Sequence, residues 1–341
     1  MTGNERKALV TGAAGQDGTF LSRELSASGW QTVGVVAPEG ITHPNADELS
    51  RLPGVSLREL DLSDAGDCRQ LIADVRPDAV FHLAGVSSVA SSWESPVETA
   101  QVNAVASTAL MAESLELTNR GGHEVRFVNA SSGEIFAGAG TTPQDESTRI
   151  CPVSPYGATK AMAHTMGAAL RSRGLRLSNA ILFNHESPLR SATFVTRKIT
   201  SGVAAIAAGK QHTLRLGNLE ARRDWGWAPD YVDCMIRMAA HDTPDDFVVA
   251  SGEAHSVRDF VAAAFSAAGI DDWKDHVEVD STLVRPADAV ELVGDATKAR
   301  RELGWRPTKS FTQLVAAMVQ FDLALLGRTG RATGGATEVK P

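Results

Sequence analysis

Short apolar runs recur through the first half of the chain, each followed by a segment whose apolar positions fall three and four residues apart. "KALVTG", "WQTVGVVA", "VSLRELDL", "DAVFHLAG", "EVRFVNASS" and "LRLSNAILF" are such runs, bounded by Gly, Asp or Ser. Between most of them the spacing predicts helices, notably over 97–119 and 155–173. Strands separated by helices reach their neighbours through crossovers, so the pattern predicts an α/β fold with a doubly wound parallel sheet.

Past residue 186 the alternation weakens. "FVTRKITSGVAAIAAG" has helical spacing, while "HTLRLGN" and "FVVASG" are strand-like. We expect a first domain over 1–185, to which 229–250 returns, and a smaller C-terminal α/β domain over 186–228 and 251–326. A last helix over 311–325 would follow a Ser310 cap and place Leu314, Met318, Phe321 and Leu325 on one face. Residues 327–341 carry no apolar periodicity and are expected to be a disordered tail. No internal repeat is visible.

Bulk properties narrow the function. The 341 residues carry a formal charge of −8, which argues against nucleic acid or an anionic membrane as the main partner. An anionic ligand would then need a local basic pocket. Cys68, Cys151 and Cys234 are too scattered for a disulfide framework or a thiolate metal site. No apolar run approaches the ~18–20 residues of a membrane span, and "MTGNERKALV" lacks the features of a signal peptide. The expected location is the cytoplasm.

Chemistry enters at "VTGAAGQDG", which sets Gly12, Gly15 and Gly18 between the first strand and first helix. Glycines there let the backbone turn tightly and approach a pyrophosphate at the helix N-terminus. Alone they mark only a tight turn; after the first strand of an alternating pattern they predict a Rossmann-like dinucleotide site. The second signal is "SPYGATK". Tyr156 and Lys160 stand four apart and share a helix face, with Ser154 as cap and Pro155 as first helical residue. An ammonium beside a phenol favours the phenolate, so the pair predicts a base with a lowered pKa. The third is "NASSGEIF" at the end of the fifth strand, which puts Ser131, Ser132 and Glu134 where ligands of such sheets bind.

The GxxGxxG loop with Tyr156 and Lys160 resembles the extended short-chain dehydrogenase/reductase family. "FNHESPLRSATFVTRKIT", "LGNLEARRDWGWAPDYV", "HLAGVSSVASSWESP" and "RPADAVELVGD" resemble GDP-mannose 4,6-dehydratases over nearly the whole chain. The resemblance implies a catalytic set of Ser132, Glu134, Tyr156 and Lys160, with the carboxylate of Glu134 taking a carbon-bound proton. It implies a dinucleotide held by Gly12, Gly15, Gln16, Asp17, Gly18, Asp61, Leu62, Leu83, Ala84, Tyr156 and Lys160. It implies a GDP-mannose-type substrate held by Ser87, Asn184, Lys198, Leu216, Gly217, Asn218, Arg223 and Arg285, and a homodimer, with a tetramer left open. Arg197, Lys198, Arg222 and Arg223 form two basic pairs that would supply the required pocket. His185 and Glu186 lack partners at metal-ligand spacing, so no metal is expected.

Departures from the family accompany these matches. Ala37 and Pro38 stand where the family carries paired arginines for a 2′-phosphate, so NADP is the family expectation and NAD remains an alternative. Val86 and Ser88 replace a Gln and a His. A GDP-4-keto-6-deoxymannose reductase, another nucleotide-sugar dehydratase or epimerase, and a non-catalytic binding module are the competing functions. The first would not need Glu134 as a carbon base, and the last has no need for a phenol of lowered pKa.

Overall fold

The computed structural model describes residues 6–283 and 291–333. Its first half runs β1 (Lys7–Thr11), α1 (Gln16–Ala27), β2 (Gln31–Val36), α2 (Pro44–Leu49), β3 (Val55–Glu59), α3 (Ala65–Val75) and β4 (Ala79–His82). Then come α4 (Val89–Glu94), α5 (Pro96–Ala100), α6 (Ala106–Gly121), β5 (Arg126–Ser132), α7 (Pro155–Arg171) and β6 (Arg176–Leu182). The remainder is β7 (Asn184–Glu186), α8 (Val195–Ala207), β8 (Leu214–Leu216), β9 (Arg222–Trp227), α9 (Ala228–Ala240) and β10 (Asp246–Val249), followed by β11 (Ala254–Ser256), α10 (Val257–Ala267), β12 (Val277–Val279), α11 (Thr297–Glu302) and α12 (Phe311–Thr333).

Seven strands form one sheet in the order β10-β6-β5-β4-β1-β2-β3, and every neighbouring pair is parallel. The fold is Rossmann-like and doubly wound. Its inner strands are apolar on both faces because helices cover both: Leu9, Val10, Val80 and Phe81 are all buried. The chain moves from β1 outward to β3, then returns to β4 on the other side of β1. That reversal opens a crevice at the carboxyl ends of β1 and β4, the expected ligand position in such sheets.

Two smaller sheets, β11-β9-β7 and β12-β8, stand beyond those strand ends. With α8, α10 and α12 they enclose a separate core around Ile199, Leu214, Trp225, Phe260 and Met318. The expected assignment of all of 251–326 to this second body is corrected at α11. Ala296, Ala299, Leu303 and Trp305 pack into the main core with Tyr231 and Met235, and the Trp305 indole donates to the Asp230 carbonyl at 2.7 Å.

Two helices also differ from expectation. The segment 97–119 is α5 and α6 joined by a π-helical turn over Gln101–Val105. Within the turn, Asn103 accepts from the Val86 amide at 2.8 Å and donates to the Val86 carbonyl at 3.0 Å. The last helix runs on to Thr333, past both Leu325 and the expected start of the tail, since isolated glycines cost a helix only about 1 kcal/mol each. Its buried face is Leu314, Val315, Met318, Val319 and Asp322, whereas Phe321 and Leu325 are exposed. An ion pair with Arg197 on α8 draws Asp322 inward and turns the face away from the apolar stripe. Residues 334–341 of the expected tail lie outside the described residues.

Candidate active site

The β1–α1 turn is built for close backbone approach. Gly12 adopts φ +72°, and a Cβ there would fall 2.9 Å from the Ala84 amide nitrogen. At Gly18 a Cβ would fall 2.2 Å from the Gly12 carbonyl oxygen. Thr11 fastens the opposing loop, its hydroxyl accepting from the amides of Leu83 and Ala84 at 3.2 Å each. Helix α1 begins behind Gly15 with no side-chain cap, which leaves its first amides directed at the turn. This cradle fits a dinucleotide pyrophosphate. Asp61 and Leu62 follow β3 on the same carboxyl edge, with Leu62 buried.

Gln16 and Asp17 have a further engagement. The Asp17 carboxylate lies 2.8 Å from His185 Nε2, and His185 Nδ1 lies 2.7 Å from the Phe183 carbonyl. Gln16 donates to the His185 carbonyl at 3.1 Å and accepts from the Ser187 hydroxyl at 2.7 Å. The glycine turn is thus fastened to β7. Burial is the largest influence on the Asp17 carboxyl and pushes it up, but the charge and hydrogen bond of His185, with Arg190 and Gln16, together hold the group below the usual carboxylate range. Burial likewise pulls His185 down, and Asp17 pulls it up further, to a net rise.

Tyr156 is placed by local contacts at the start of α7. The Ser154 hydroxyl caps the helix by accepting from the Gly157 amide at 3.1 Å, and the Tyr156 amide donates to the Ser92 hydroxyl at 3.1 Å. A Cβ at Gly157 would stand 2.8 Å from the Glu134 carbonyl oxygen, so only glycine lets α7 approach the turn Gly133–Phe136 this closely. Ser132 caps that turn, accepting from the Glu134 amide at 3.2 Å, and lines the same cleft as the Tyr156 phenol. Ser131 is turned instead toward His164, 3.1 Å from its Nδ1.

The expected depression of the phenol by Lys160 is corrected here. The lysine donates to the Ala130 carbonyl at 2.8 Å, and its own pKa is pushed down to about 8 by burial. Burial is also the largest influence on Tyr156 and raises it; the polar Ser132 hydroxyl opposes that rise. Glu134 and Asp17 add to it, while Arg190 counteracts them. The phenol ends above its ordinary value because desolvation exceeds the help from its neighbours.

These groups line a cleft of about 360 Å³ between the main sheet and the smaller sheets. Asp17, Leu83, Ser87, Ser132, Glu134, Tyr156 and Lys160 come to it from one side, and Asn184, Gly217, Asn218 and Arg223 from the other. Gly12, Gly15, Gln16, Gly18, Asp61, Leu62 and Ala84 stand off this lining, along the strand ends. Other expected members are elsewhere. Leu216 is buried in the smaller core, and Lys198 is not among the lining residues. Arg197 is paired with Asp322 and Arg222 with Glu291, so the two basic pairs do not converge as units. Arg285 lies outside the described residues.

Arg190 was not among the expected site residues, yet it lines the cleft. It sits 3.6 Å over the Phe194 ring, 3.2 Å from the Glu186 carboxylate, and its charge reaches Tyr156, Asp17 and His185. The four-residue spacing of Glu186 and Arg190 in "NHESPLR" was the available signal.

The chain compares closely with proteins of known kind. The family model for GDP-mannose 4,6 dehydratase matches residues 9–318. GDP-mannose 4,6 dehydratase 2 of Arabidopsis thaliana is 42% identical over 329 residues, covering 94% of this chain and 88% of the relative. The human GDP-mannose 4,6 dehydratase is 37% identical, with 94% and 92% covered. Among solved structures, MoeE5 in complex with UDP-glucose and NAD superposes with a TM-score of 0.76 at 25% identity, covering 94% of this chain and 99% of that one. On the length and degree of these matches, the chain belongs to the GDP-mannose 4,6-dehydratase family.

Proposed function

We propose that the protein is a hydro-lyase that converts GDP-mannose to GDP-4-keto-6-deoxymannose, its cofactor unchanged over the cycle. The observation that carries this is the placing of a carboxylate, Glu134, in one cleft with Ser132 and the Tyr156 phenol. The chemistry that a nicotinamide dinucleotide would supply here is a reversible hydride acceptor, for C4 of the sugar first and for return at C6 afterwards. The protein's own groups move the protons. Tyr156, as phenolate, takes the proton of the 4-hydroxyl, with Ser132 holding the oxygen. The 4-ketone then acidifies C5, whose proton Glu134 removes. Glu134 hands that proton to the departing 6-hydroxyl, which leaves as water. C5 then regains a proton from solvent, and the Tyr156 phenol releases its own to solvent, so the cycle closes. Lys160 braces α7 on β5 beneath the phenol.

The dinucleotide would rest on Gly12, Gly15 and Gly18, with 1–185 and 229–250 as its half of the molecule. The nucleotide-sugar would reach Asn184, Gly217, Asn218 and Arg223 from the other half. The tip of β2 supports NAD over NADP. It reads Ala37-Pro38-Glu39-Gly40, without a lysine or arginine, and Val36 is paired with Glu59. The nearby cations are engaged: Arg58 with Asp74 at 3.2 Å and Arg23 with Glu48 at 2.8 Å. A 2′-phosphate needs a cation it can grip.

Trp93, Val97 and Met162 are exposed on α4, α5 and α7, an apolar face that supports a homodimer. No helix among the described residues is long and apolar enough to cross a membrane, and three free thiols agree with a cytoplasmic setting. Incubation with GDP-mannose and no added cofactor is expected to give a nucleotide-sugar lighter by one water. An unchanged substrate that reacts only when reduced dinucleotide and a keto-sugar are supplied would make the protein a reductase.

A further inference from the structure

Three successive residues of β5 are each met by one of three residues spaced four apart on α7. Ser132 shares the cleft with the Tyr156 phenol and opposes the rise of its pKa, the Ala130 carbonyl accepts from Lys160 at 2.8 Å, and the Ser131 hydroxyl lies 3.1 Å from His164 Nδ1. Positions i, i+4 and i+8 share a helix face, so the three residues tie one face of α7 to the end of β5. Only the first two belong to the mechanism above.

The third contact has a deep footing. His164 Nε2 lies 3.4 Å from the Asp246 carboxylate on β10. Asn179 on β6 donates to Asp246 at 2.8 Å and to the His164 carbonyl at 3.2 Å. Arg171, the last residue of α7, donates to Asp246 at 2.8 Å. Ser131, His164 and Asn179 are buried. Helix and sheet can close to this distance because of Gly167, where a Cβ would fall 2.8 Å from Leu177 and 3.1 Å from the Asn179 side chain. An apolar contact would hold α7 to the sheet as firmly, but it could slide. A satisfied polar network is directional and permits one register.

We propose that His164, held between Ser131 and Asp246, is a positioning residue for the dehydration: it fixes α7 along β5 so that the Tyr156 phenol meets the Ser132 hydroxyl. The proposal rests on the assignment of Tyr156 as the base. His164→Leu removes the hydrogen bond with Ser131 and the 3.4 Å contact with Asp246, whereas His164→Gln keeps a group that can accept from Ser131 and donate to Asp246. In the leucine variant, scored per folded molecule, kcat should fall about tenfold with KM for GDP-mannose within twofold. The pH midpoint of kcat should rise by about one unit as the phenol loses its Ser132 partner. The glutamine variant should restore both.

A direct readout does not depend on turnover. The chain has two tyrosines, and burial pushes Tyr231 well above the ordinary range, so the first phenol to ionise in an ultraviolet titration is Tyr156. Its midpoint should rise in His164→Leu and return in His164→Gln. If the wild type leaves GDP-mannose untouched yet the titration shifts, the dehydratase assignment fails and the positioning role stands. If a folded His164→Leu keeps kcat and both midpoints, the proposal is overturned. Should the leucine variant not fold, Ser131→Ala removes the same contact: the same shift supports the proposal and unchanged midpoints overturn it.

Discussion

Asp17 and His185 lie 168 residues apart in the chain and 2.8 Å apart in space, joining the first turn of α1 to β7 through a largely buried ion pair. Both ring nitrogens of His185 have acceptors, the Asp17 carboxylate and the Phe183 carbonyl, so the imidazolium is the form this site favours. The ring also stacks on Tyr231 at 4.5 Å.

This pair has a pH signature. The His185 pKa is raised in the fold, so its contribution is complete below the ordinary ~6.5 and is lost as pH rises through the higher folded value. The Asp17 pKa is lowered, so its contribution is complete above the ordinary ~3.9 and is lost as pH falls through the folded value. The window of full stabilisation is therefore about pH 4 to 6.5. Asp17→Asn leaves a buried charge without its partner and should cost about 3 kcal/mol within that window. Thermal unfolding followed against pH checks both the size and the loss of the alkaline slope. An unchanged slope would remove the pair from the stability account.

Glu134→Gln keeps the shape of the cleft and removes the base for carbon. Turnover should fall by about 10²–10⁴-fold, while calorimetric binding of GDP-mannose stays within a few-fold. A variant that remained active would move the carbon base elsewhere.

Because burial holds the Tyr156 phenol above its ordinary ~10, the active phenolate is scarce at neutral pH and grows with alkalinity. kcat should therefore climb between pH 7 and 9. Tyr156→Phe should lose about 10²–10⁴-fold and the slope with it. A flat profile in the wild type would place the rate-limiting proton on another group.

At the tip of β2, Ala37→Arg supplies a cation for a 2′-phosphate. A charge-assisted hydrogen bond there should raise affinity for NADP relative to NAD by about tenfold or more. Mass analysis of the dinucleotide released from denatured wild-type protein should find NAD, and NADP in its place would overturn the cofactor preference.

Much of this architecture was legible in the chain because it rests on local signals. The first six strands, the glycine turn and the Ser154 cap of α7 stand as their residues predict, since periodicity, φ-permissive glycines and caps act over a few residues. Contacts that depend on packing were not legible. Nothing in "SPYGATK" reveals that Lys160 would donate to Ala130 and that burial would govern the phenol. Arg197 reads as a pocket cation until α12 brings Asp322 against it, and that same pairing turns Phe321 and Leu325 outward. Arg190 is less legible, because beyond its four-residue spacing from Glu186 its place in the cleft depends on the Phe194 ring, which only the folded segment brings beneath it.

The central claim is that the hydride removed from C4 is the one delivered to C6. GDP-mannose carrying deuterium at C4, turned over in ordinary water, tests it by NMR of the product. We expect the deuterium in the 6-methyl group of the keto-sugar and a solvent proton at C5. A product whose methyl group carries no deuterium, or a dinucleotide left reduced in stoichiometric amount, would contradict it.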